Sequence, residues 1–116
     1  MTPEVLDLLH CLGFIYLRHG QPYRAVVLLI IAAQYAPERA DILRTLAAAL
    51  VAAHMGEQAL DVLRRLAALD SAEADHPMMR LTRARALLLL GRVEEARRAF
   101  RPSPTALPDK RIEKAA

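Results

Sequence analysis

Few side chains in this 116-residue sequence are of a type that does chemistry, and their spacing argues against most of it. His10 and Cys11 are neighbours. On a helix they point about 100° apart, so they share neither a metal ion nor a proton easily. Cys11 is the single cysteine, so no intrachain disulfide can form. A cysteine nucleophile needs a base, an orienting third group and an electropositive cleft, and nothing in the spacing supplies them. Cys11 reads instead as a small core filler. His19, His54 and His76 fall near expected helix ends. Glu94 and Glu95 sit one helical turn from Arg97 and Arg98, the spacing of ordinary surface pairing. The four glycines occupy turns or packing positions and form no phosphate-binding loop. The expectation is a chain with no enzymatic activity, no cofactor and no metal.

With catalysis set aside, the question becomes what the apolar residues build. Hydrophobic residues are 54% of the sequence but aromatics only 4%, and alanine and leucine dominate. Such a composition suits helices that meet closely, not strands rich in β-branched residues. The net charge is +3 with basic residues spread along the chain. Nucleic-acid binding is therefore a minor reading, which a steep loss of binding with salt would support. The opening Met-Thr-Pro-Glu lacks a basic segment and a cleavage site. The longest uncharged run, residues 25–37, has 13 residues, short of the roughly 20 that cross a bilayer. The expected setting is a reducing cytoplasm, without membrane insertion.

Turn and cap signals divide the chain into six expected helices. Thr2-Pro3-Glu4 is a helix start: a hydroxyl cap, a proline in the first turn and an acid at the positive end. Helices are expected over 3–19, 22–36, 37–54, 57–69, 77–90 and 93–101. Gly20, Gly56 and Gly91 separate the members of each pair. Residues 70–77 read as a polar loop and the place of a small insertion. Residues 102–116, with three prolines in their first seven positions, read as a Pro-rich, charged tail that a partner orders or that stays mobile.

These helices carry an internal repeat of 34 residues. Leu9, Leu12, Gly13 and Tyr16 recur as Leu43, Leu46, Ala47 and Leu50, and Ala25 and Leu29 recur as Ala59 and Leu63. Gly13 and Ala25 are small where two antiparallel helices cross, with Leu9, Leu12, Tyr16, Leu29 and Ala32 filling the space around them. A third unit repeats the glycine-to-alanine interval as Gly91 to Ala96, offset by three residues. Its first helix departs, with Arg80 and Arg83 at bulky apolar positions while Ala84 and Leu87 fit. The units span 6–39, 40–73 and 77–101.

The pattern Leu12-Gly13, Tyr16, Ala25, Leu29, Ala32, Pro37 with a 34-residue period resembles the tetratricopeptide repeat (TPR), over residues 6–100. That resemblance implies an all-α fold of three helix–turn–helix units in a short right-handed superhelix, with the first helix of each unit lining a concave face. Such arrays are binding platforms. In length and layout the chain is most similar to the YscY/SctY-like chaperones of bacterial type III secretion. This likeness implies a cytoplasmic chaperone that keeps a secreted YscX/SctX-like export component soluble. The alternative is a generic TPR adaptor or scaffold joining two proteins.

TPR geometry implies which residues face the groove. In the first unit they are Asp7, His10, Phe14, Leu17 and Arg18, in the second Asp41, Arg44, Ala48, Val51 and Ala52, and in the third Met78, Leu81, Arg85, Leu88 and Leu89. The deep positions are apolar, which suits the apolar face of an amphipathic or hydrophobic helical segment of a small client, with Arg18, Arg44 and Arg85 at the rim. The second helix is unusual, since residues 25–33 have no polar face. Val27, Leu28 and Ile31 fall at the usually solvated positions. A helix apolar all round must be covered, so a second apolar surface is expected, taken by the client or, without it, by a homodimer.

Overall fold

The computed structural model describes residues 1–101, and within them all regular structure is helical. The expected tail, 102–116, lies outside the described residues. Seven helices follow one another: α1 Pro3–Arg18, α2 Pro22–Tyr35, α3 Ala40–Ala52, α4 Gly56–Leu69, α5 Ser71–Ala74, α6 Pro77–Leu89 and α7 Val93–Phe100. They form three helix hairpins, α1/α2, α3/α4 and α6/α7, with α2 packed on α3 and α4 on α6. None of these helices is long and apolar enough to cross a membrane.

Local chemistry sets the boundaries. The Thr2 hydroxyl accepts from the Val5 amide at 3.2 Å, and Pro3 opens α1 where its missing N–H costs nothing. The α1/α2 hairpin turns through a double closure: Gln21 N–H donates to the Tyr16 carbonyl and Gly20 N–H to Leu17, with Gly20 at φ +74°. Arg92 and Gly91 close the α6/α7 turn in the same way on Leu87 and Leu88, with Gly91 at φ +76°. The middle turn departs from expectation. Met55 donates to Leu50 and His54 to Val51, so the left-handed residue is His54, at φ +61°, not a glycine.

Gly56, expected as the turn residue, instead begins α4 and is buried. A Cβ there would stand 2.9 Å from the carbonyl oxygen of Ala86, so this glycine serves the close approach of α4 to α6.

The core follows the repeat. Leu29, Ile42, Leu43, Leu46, Leu50, Leu63 and Leu66 are its largest fully buried side chains, with Ala25, Ala32, Ala47 and Ala59 buried between them. One expectation about it is corrected. Leu12 does not join the core packed around the α1/α2 crossing and is 38% exposed. In α6 the buried side is carried by Met79, Thr82, Ala84, Ala86 and Leu87. Arg80 keeps its departing position: its side chain is mostly buried, donates to the Asp75 carbonyl at 2.8 Å and leaves Nε without a partner.

The expected loop at 70–77 also holds a one-turn helix, α5. Asp70 caps it by accepting from the amides of Ala72 and Glu73. His76 then caps α6 through Nδ1, which accepts from Met78 N–H at 3.1 Å, ahead of Pro77. Helix α3 starts at Ala40, later than expected, after a turn in which Arg39 N–H donates to Ala36.

Candidate functional site

The first helices of the hairpins enclose an open cavity of about 580 Å³. From α1 its wall takes His10, Cys11, Phe14, Ile15 and Leu17. From α3 it takes Asp41, Arg44, Thr45 and Ala48. The start of α6 closes one end with His76, Met78 and Met79. Residues four apart on α1 (His10, Phe14) and on α3 (Arg44, Ala48) point the same way because a helix repeats every 3.6 residues, which aligns them along one trough.

Of the groove residues expected from the repeat geometry, His10, Phe14, Leu17, Asp41, Arg44, Ala48 and Met78 lie together on this wall. Arg18 stands at its edge, its Cζ 5.8 Å from the centre of the Phe14 ring. Val51 is half-buried against the core and Ala52 is exposed; neither reaches the cavity. Beyond Met78, the third unit contributes differently from expectation. Leu81 is half-buried, Arg85 and Leu88 are exposed, and the Leu89 Cβ lies against Gly56 of α4. None of the four lines the cavity, because α5 and the His76 cap bring only the first turn of α6 to it.

Cys11, Ile15, Thr45, His76 and Met79 are wall residues that the repeat positions did not indicate. For Cys11 and Ile15 the available signal was their place one residue after His10 and Phe14 on the same helix.

One side of the trough is polar and tightly paired. Arg39 forks onto Asp41, Nε to Oδ1 at 3.0 Å and a terminal nitrogen to Oδ2 at 2.7 Å, and it reaches Asp7 of α1 at 2.9 Å. The guanidinium, helped by the Ile42 amide, holds the Asp41 carboxyl down at about 2. The same pairing raises Arg39 above its ordinary value.

Thr45 spends its hydroxyl proton on the Asp41 carbonyl at 3.2 Å, so at 2.8 Å it accepts from Nε2–H of His10. Nδ1 of His10 then faces Asp41 at 3.6 Å. Burial lowers the His10 pKa despite the nearby carboxylate. This network ties α1 to α3 and fixes one wall. Arg44, expected as a rim cation, is engaged with Glu73 of α5 at 3.0 Å. The remaining wall, Phe14, Ile15, Leu17, Ala48, Met78 and Met79, is apolar, and the two methionines give it an adaptable end.

The second expected surface divides. Val27 is 58% exposed and faces solvent, as its repeat partner Asp61 does. Leu28 and Ile31 correspond instead to Val62 and Arg65, which line a smaller cavity between α4 and α2. They therefore belong to the end of the hairpin stack and not to its back. Among the described residues no three His, Cys, Asp or Glu side chains converge on one point. No protein-family model matches the chain, and no curated protein matches it.

Proposed function

We propose that this chain is a small TPR-type chaperone that receives an apolar helical segment of a secreted client in the trough between α1 and α3. The observation that carries the reading is the cavity itself: about 580 Å³, open to solvent, walled mainly by Phe14, Leu17, Ala48, Met78 and Met79, with His10 bonded to Thr45, Asp41 to Arg39 and Arg44 to Glu73. Charges matched in this way do not call for a charged ligand, although Nε of Arg44 is buried without a hydrogen-bond partner. The exposed apolar wall favours a partner that removes it from water. Burying each large side chain contributes roughly 1.5–3 kcal/mol, enough after ordering costs for a held, releasable client.

The likeness to YscY/SctY-like chaperones supports a client of the YscX/SctX type and work in the bacterial cytoplasm ahead of type III export. Co-expression tests this. The client should be insoluble alone and recovered as a one-to-one complex with the chaperone, and Ala48→Glu should abolish the complex while leaving the helical spectrum unchanged. A client equally soluble alone, or a complex indifferent to Ala48→Glu, returns the chain to the generic adaptor reading.

A further inference from the structure

The hairpin register exposes one unbalanced end of the stack. Ile42, Leu46 and Ala49 of α3 are almost wholly buried, and Met79 and Ala86 hold the first and last of these positions in α6 and are buried too. Leu46 lines the space shared with Ile30 of α2, and Ala86 lies against Gly56 of α4. Through these positions each hairpin packs on the one before it. In α1 the same positions carry Leu8, Leu12 and Ile15, and Leu8 and Ile15 are 57% and 50% exposed. Val5 extends the row, so that residues 5, 8, 12 and 15 alternate three- and four-residue steps, the spacing of a helix–helix seam. Leu28 and Ile31 of α2 continue the face. No element of the described residues packs on it.

We propose that a second copy of the chain covers this face, with α1 against α1 in an antiparallel, two-fold symmetric seam. Head-to-tail stacking is disfavoured by the other end. Where α2 and α4 present buried Val26 and Leu60 to the next hairpin, α7 presents Arg97, exposed and paired with Glu94 at 3.2 Å. Burying that cation against Leu8 and Ile15 would cost more than the contact returns.

The antiparallel direction follows from the flank of the seam, which carries Glu4, Cys11 and Arg18 at seven-residue intervals. With Leu8 opposite Leu12, Glu4 of each copy faces Arg18 of the other, and the two Cys11 side chains meet beside the axis. A parallel seam leaves each charge far from its opposite. The same axis brings the two α2 faces together and closes a four-helix layer. His10, Phe14 and Leu17 lie on the other side of α1, while Cys11 and Ile15, which also line the trough, form the edge it shares with the seam.

Sedimentation equilibrium on the full 116-residue chain, without client, tests the seam independently of what the trough binds. A dimer is expected, and Leu8→Glu/Ile15→Glu should be monomeric with an unchanged helical spectrum. A short thiol cross-linker should trap the dimer through Cys11, exposed in the single chain, and fail with Cys11→Ser. Should the double-glutamate variant unfold, charge reversal decides: Glu4→Arg and Arg18→Glu should each weaken the dimer, and the combined variant should restore it. A chain that stays monomeric, a dimer that survives Leu8→Glu/Ile15→Glu in a folded state, or charge variants without effect would overturn the proposal.

Discussion

A Cβ on Gly13 would stand 2.7 Å from Cγ of Leu29, closer than two carbon atoms approach without one of them moving. Leu29 is wholly buried, so it has little room to give way. Gly13→Ala therefore sets overpacking of about 1–3 kcal/mol against about 1 kcal/mol gained in helix propensity. A net loss is expected by urea unfolding. In a Leu29→Ala background the clash is gone, and the same Gly13→Ala change should stabilise by roughly 0.5–1 kcal/mol. The change of sign is the signature. Equal effects in both backgrounds would show that the glycine is not there for the crossing.

Gly56 meets a different obstacle. The atom nearest its absent Cβ is the Ala86 carbonyl oxygen, part of the α6 backbone, at 2.9 Å. A backbone carbonyl inside a helix cannot swing aside as a leucine can. Gly56→Ala should cost about 1–3 kcal/mol, and no truncation of neighbouring side chains should recover it. Hydrogen exchange should show the loss first as faster opening of α6 and α7, since α4 carries that hairpin.

The contrast between these glycines marks how far the sequence could be read. The repeat interval located Gly13 and Ala25 at a crossing, because only small residues let two helices meet there. It also located two of three hairpin turns, at Gly20 and Gly91. The third was hidden, since His54 takes the left-handed conformation without being a glycine. The only pointer was its place 34 residues after Gly20. The trough was legible along α1 and α3, where the repeat is regular. It was misplaced along α6, because α5 folds inside a stretch that reads as loop and resets how α6 enters. Leu12 and Ile31 were legible as apolar but not as end-facing. Facing depends on which hairpin comes before, and residue spacing does not contain that.

His54 offers a direct test of the left-handed turn. A non-glycine residue at φ +61° is held there by the two closing hydrogen bonds, against its own steric preference. His54→Gly relieves that cost but adds freedom to the unfolded chain. The balance should favour the variant by about 0.5–1 kcal/mol, read as a higher Tm. A lower Tm would mean that the imidazole makes a contact worth more than the backbone strain.

The two ends of the groove prediction can be separated with single charges. Ala48 lies on the cavity wall, whereas Leu88 is 54% exposed and away from it. Ala48→Glu should abolish client binding measured by calorimetry, and Leu88→Asp should leave it within about twofold. Both should change stability by less than about 1 kcal/mol, since neither side chain is in the core. Loss of binding in Leu88→Asp would extend the binding surface along α6, where the structure shows no cavity wall.

The His10–Asp41–Thr45 network carries a pH dependence whose sign is fixed by burial. An unfolded histidine titrates near 6.5, and burial of the imidazole lowers the folded value below that. Through this window the unfolded chain binds more protons, so stability is fully present above pH 6.5 and falls as the pH drops past 6.5 towards the folded value. Asp41 acts in a separate window. Its folded carboxyl sits at about 2 against an ordinary 3.8, so its contribution is lost only between those values, as the Asp41 carboxylate takes up a proton and stops accepting from Arg39. Urea midpoints between pH 7.5 and 5.5 should therefore fall for the wild type. His10→Gln keeps an N–H donor for Thr45 but cannot titrate, so its midpoints should fall less over the same range. A proton NMR titration of His10 should place its midpoint below 6.5. If wild type and His10→Gln show the same slope, the neutral imidazole is not what the α1–α3 wall requires.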